Sequence, residues 1–182
     1  MADRTPGIRP RQTLWRMLDA TARQAFPVTT TALLLLALST PLGLPGQPEL
    51  QVAVALACVF FWSVFRPAGM APPSIFGLGL LADLLSLAPV GTNVLILLVA
   101  HGVALRLRRF LVAQGFLVVW LVFLAVAAGA AALQWLITCV LTFALLPLGP
   151  ALLQFGVTAG FYPALAAVFT RTHRGLADPE SA

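Results

Sequence analysis

Residues 77–109 read GLGLLADLLSLAPVGTNVLILLVAHGVALRLRR. Apolar residues fill both halves, and Pro89-Val90-Gly91 separates them with a tight-turn signal. The stretch therefore reads as two apolar helices folded back on each other. The first carries one carboxyl group, Asp83, in an otherwise hydrocarbon-like sequence, and the second ends in Arg106, Arg108 and Arg109. An ionisable group in such surroundings is costly and marks a site to be explained.

Composition places this hairpin in a membrane. The chain has 182 residues, of which 60% are hydrophobic and 9% charged, with a mean hydropathy of +0.95. Soluble domains carry about 25% charged residues. A crossing needs about 20 apolar residues, so the length allows five or six of them. The net charge of +5 comes from eleven arginines and no lysine. All of them lie in termini or short loops between apolar runs. That arrangement sets topology and meets anionic headgroups of the lipid bilayer, and it offers no nucleic-acid surface. Cys58 and Cys139 lie inside apolar runs without CxxC spacing. They read as small hydrophobes, with no disulfide and no zinc set.

In chain order, a basic cytoplasmic segment (1–25) precedes a six-helix transmembrane domain (26–172) and a polar cytoplasmic tail (173–182). From Thr13 the first segment has helical periodicity. It suits either an amphipathic helix on the membrane face or a basic tail without fixed structure. No signal peptide is expected, because no cleavage pattern follows the arginines. The crossings fall at about 28–44, 50–65, 74–87, 92–107, 110–146 and 152–170. Pro27 stands ahead of the first, Pro163 kinks the last, and 173–182 is expected to be disordered.

The 37-residue run 110–146 amounts to about 55 Å of helix, against a hydrocarbon core of about 30 Å. Taken as one crossing, it puts every arginine on one side, so the positive-inside rule favours both termini in the cytoplasm. The surplus length then extends outward around Gln134 to Leu146 or is absorbed by tilt. Gly77 and Gly79, the Ala125/Gly129 pair and the Gly156/Gly160 pair suit close helix packing, within the chain or against a partner helix.

Chemistry is sparse. Asp83 is the single intramembrane acid, so paired-carboxylate catalysis has no second group. Ser86, His101 and Asp83 make a triad only on paper, since His101 and Ser86 belong near opposite ends of their helices. Walker A, HExxH and GxGxxG signatures are missing. The sequence thus points to no catalytic residue, no cofactor and no metal ligand. His101 reads as a helix-packing residue. Asp83 has three readings: a lock that binds Ser86, Asn93 and the free N–H groups across the turn; a polar contact to a partner; or a proton or ion relay.

The run Gly79-Leu80-Leu81-Ala82-Asp83-Leu84-Leu85-Ser86, then Pro89-Val90-Gly91-Thr92-Asn93-Val94-Leu95, resembles the hairpin signature of the bacterial rod shape-determining MreD family. Arg66-Pro67 and Tyr162-Pro163 match further habits of that family. Leu87 stands where the family usually has glycine, and Val94 where it often has alanine. The resemblance implies a non-enzymatic inner-membrane scaffold of the cell-elongation complex. It implies MreC as direct partner, RodA and its penicillin-binding transpeptidase alongside, and MreB indirectly. It also implies an all-α bundle of six transmembrane helices, similar to the substrate-binding components of energy-coupling-factor transporters. That likeness supplies an alternative, a vitamin-binding transporter subunit. Such a subunit needs convergent polar side chains, and Asn93, Gln134, Thr138 and Gln154 look scattered in the sequence.

Overall fold

The computed structural model describes residues 14–40, 47–86 and 89–177, with side chains left out of the description in 14–24 and 168–177. Among the described residues there are six α-helices and no strand. They are α1 (Leu14–Ser39), α2 (Gln47–Phe65), α3 (Pro72–Leu85), α4 (Thr92–Leu111), α5 (Phe116–Thr142) and α6 (Gly149–Ala177), with a 3-10 turn at Pro67–Gly69.

Helix α2 is the axis of the bundle. Its sequence is apolar on every face, and every residue from Gln51 to Val64 is buried. It touches all five other helices. Near its C-terminal half, Phe60 meets Phe123 of α5 and Tyr162 of α6. The last two rings stack at 4.0 Å. Outside this core the pattern inverts. Leu33, Leu84, Leu117, Val140 and Leu152 are each more than half exposed, while Thr31, Ser63, Asn93 and Thr158 are buried. Among the described residues, two helices, α2 and α5, are long and apolar enough to cross a membrane.

Several boundaries differ from the sequence reading. Pro27 lies inside α1, which starts at Leu14 and ends at Ser39. The helix passes through the proline, and the hydroxyls of Thr30 and Thr31 bond back to the Phe26 and Pro27 carbonyls at 2.7 Å. The Gln47 amide then satisfies the Leu38 carbonyl at the end of α1. Residues 41–46, assigned partly to the first crossing, lie outside the described residues, as do 1–13 and 178–182. The 110–146 run is not one helix. Residues 110 and 111 finish α4, a turn covers 112–115, and α5 stops at Thr142, where Phe143 takes a left-handed conformation with φ 52°. Gln114-Gly115 is the punctuation that the apolar count hides. The resulting 27 residues make about 40 Å of helix. Helix α6 continues to Ala177, through part of the segment expected to be disordered.

Pro163 removes the N–H that the Ala159 carbonyl would receive within α6. The Trp120 indole N–H of α5 donates to that carbonyl instead, at 3.3 Å. The helix thus passes its proline with its backbone satisfied by a neighbour, as a spanning helix requires.

Candidate functional site

The α3–α4 hairpin is built by close backbone approach. A Cβ on Gly79 would lie 2.5 Å from the Val94 Cα, so only glycine fits there. Gly91 has φ +95°, which lets the chain reverse directly into α4. The reversal aims the first N–H groups of α4 at the end of α3. There Asp83, buried to 2% exposure, accepts from the Gly91 N–H through Oδ2 at 2.7 Å and from the Asn93 N–H through Oδ1 at 2.9 Å. The Asn93 side-chain amide donates to Ser86 Oγ at 3.1 Å. The Thr92 N–H is taken by the Pro89 carbonyl. The carboxyl group therefore does the work of a cap from the preceding helix, at the end of α4 where the helix dipole favours an acceptor. Leu87 and Ala88, between Ser86 and Pro89, lie outside the described residues.

Ser86 also borders a cavity of about 220 Å³ at the same end of the bundle. Glu49 enters it from the first turn of α2, Gln134, Trp135 and Thr138 from α5, and Gln154 from α6. Gln154 donates to Gln134 Oε1 at 2.8 Å, and Trp135 Nε1 donates to the Leu146 carbonyl at 3.2 Å. The wall is thus partly self-satisfied, and Glu49 adds a carboxyl group to the lining. Next to it, the Gln51 Nε2 is buried without a partner. This corrects the reading of Gln134, Thr138 and Gln154 as scattered. Helices α5 and α6 bring them together, and only Asn93 belongs elsewhere, in the hairpin lock. Linear sequence could not show it, because Gln134 and Gln154 meet only after the 143–148 loop folds back.

The opposite end is basic. Arg108 Nε donates to the Val64 carbonyl at 2.9 Å, which caps α2 and puts the C-termini of α2 and α4 side by side. Arg66 and Pro67 start the 3-10 turn there. The Arg66 N–H bonds to Trp62 O, and its carbonyl accepts from the Gly69 N–H. Between the two ends, His101 Nδ1 lies 2.7 Å from Ser63 Oγ, a partner the sequence reading missed. His101 therefore belongs to a hydrogen-bond group separate from that of Ser86 and Asp83, which meet through Asn93.

The remaining glycines are a correction. Gly77, Gly129, Gly156 and Gly160 have no atom within 4 Å of where a Cβ would sit. They are exposed on the outside of the bundle, so they do not bring helices of this chain together. Both cysteines are free. Among the described residues no three His, Cys, Asp or Glu side chains come together.

No family model matches the chain, and neither the curated proteins nor the solved structures contain a match.

Proposed function

We propose that the chain is a multi-pass inner-membrane scaffold of the MreD type, without enzymatic activity, in the bacterial cell-elongation complex. The observation that carries the proposal is the Asp83 lock. Four residues that resemble the family signature, Gly79, Asp83, Ser86 and Gly91, close this hairpin together with Asn93. The bundle around them supports a lipid setting. Thr31, Ser63, Asn93 and Thr158 are turned inward, and its outward faces carry large apolar side chains. Lipid would cover those faces, with all six helices spanning and α3, about 21 Å long, the shortest. The basic end, with Arg66 and Arg106 to Arg109, then faces the cytoplasm together with both termini. The Asp83 end faces outward. MreC is the expected direct partner, with RodA, its penicillin-binding transpeptidase and, indirectly, MreB completing the assembly.

The polar cavity favours a second reading, a small-molecule-binding subunit of an energy-coupling-factor type transporter. Purification of the tagged chain from membranes in mild detergent separates the two. The scaffold reading expects a bitopic partner of the MreC type in the purified complex and no stoichiometric small molecule. A vitamin released on denaturation, with no such partner, would reverse the order.

A further inference from the structure

A groove of about 450 Å³ runs along the outside of the bundle between α4 and α5. Its walls are apolar throughout. Ile96, Val99 and Val103 form one side, and Val122 and Val126 the other. Gly129 lies open toward it. On α4 the lining extends from Ile96 to Leu107, about 17 Å of helix rise. That is about the depth of one leaflet, half of a hydrocarbon core of about 30 Å, and too short to seat a helix that spans both leaflets. At its cytoplasmic end, next to the lining residue Leu107, is Arg106, three residues beyond Val103 and seven beyond Val99, hence on the same side of α4 as they are. Arg106 is exposed and makes no ion pair among the described residues, whereas Arg108 is committed to the Val64 carbonyl. Arg109, three residues further on, is rotated about 60° beyond Arg106, away from the groove-lining positions of α4.

We infer that this groove is a binding site for one anionic phospholipid of the cytoplasmic leaflet. Its acyl chain lies between α4 and α5, and its phosphate pairs with Arg106. The inference rests on the membrane part of the proposed function and is independent of the scaffold role. Apolar walls of one-leaflet length select a chain, and the unpaired guanidinium selects the negative headgroup.

The test is native mass spectrometry of the detergent-purified chain offered equal amounts of phosphatidylglycerol and phosphatidylcholine. Wild type should retain phosphatidylglycerol in about fivefold excess, the factor that one cation near an anionic headgroup supplies. Arg106→Gln should bring the ratio near one. Gly129→Phe, which fills the groove without touching the core, should reduce retention of both lipids. Arg109→Gln should leave the ratio unchanged. Equal losses in Arg106→Gln and Arg109→Gln would mean diffuse surface charge and no site. Unaltered retention in Gly129→Phe would mean that no chain occupies the groove, leaving it to a partner protein. A chain recovered in the aqueous fraction without detergent would instead overturn the membrane reading itself.

Discussion

Asp83→Asn is the sharpest probe of the hairpin. From the sequence alone the substitution looks mild, since asparagine also accepts hydrogen bonds. The geometry revises that expectation. The two carboxyl oxygens serve two different donors, Gly91 N–H and Asn93 N–H. Asparagine has one acceptor oxygen, so its amide NH₂ must face one of those donors. The Asn93 bond is the buried one and the Gly91 bond is partly exposed. The side chain should therefore keep Asn93 and release Gly91, at a cost of about 1 kcal/mol. Asp83→Leu strands both donors and should cost about 2–4 kcal/mol, from about 1–3 for the buried donor and about 1 for the other. At about 2–4 °C per kcal/mol for a chain of this size, the leucine variant should melt about 4–16 °C below wild type. Asparagine should lose about a quarter to a half as much. The assay is thermal unfolding in detergent, followed by size exclusion of the remaining monodisperse protein. A leucine variant as stable as wild type would refute the lock. Equal damage by both variants, with the fold intact, would point to the charge itself, and hence to a relay or a charged partner.

Further substitutions follow from the packing. Gly79→Ala should destabilise by about 1–3 kcal/mol, because its Cβ meets the Val94 backbone. Gly77→Ala, one turn fragment away and open, should be neutral or stabilise by up to about 1 kcal/mol in the same melting assay. Trp120→Phe should cost about 1–3 kcal/mol by stranding the Ala159 carbonyl. That cost should shrink when Pro163→Ala restores an N–H within α6, so a double-mutant cycle should show coupling; additive effects would contradict the exchange. Gln154→Leu should lower stability by about 1 kcal/mol through loss of the Gln134 bond. It should also abolish any small-molecule binding detected in the cavity by calorimetry.

The hairpin was the most legible part of the chain, because its determinants are local. Asp83, Gly91 and Asn93 lie within ten residues, and their contacts follow from a helix, a turn and a helix start. Hydropathy likewise marked all six apolar segments. It failed at their ends, where single groups outweigh averages. Gln114-Gly115 breaks an apolar run, α1 runs on through Pro27, and a tryptophan lets α6 continue through Pro163. Small-residue spacing misled for a related reason. Gly79 is set against a neighbour and Gly129 is not, and the spacing of small residues does not distinguish them. The polar cavity and the Ser63–His101 pair were illegible, since each joins residues from separate helices. Which faces meet depends on α2 taking the centre, and its uniform apolarity shows only that it is buried.

The account depends most on the bundle being set in a membrane with its two ends on opposite sides. Single cysteines at Val90 in the α3–α4 turn and at Ala113 in the α4–α5 turn test this directly, in a background with Cys58 and Cys139 replaced. On intact cells a membrane-impermeant thiol reagent should label Val90→Cys, and should label Ala113→Cys only after permeabilisation. Labelling of both positions from the same side, or recovery of the chain in the soluble fraction, would contradict the account.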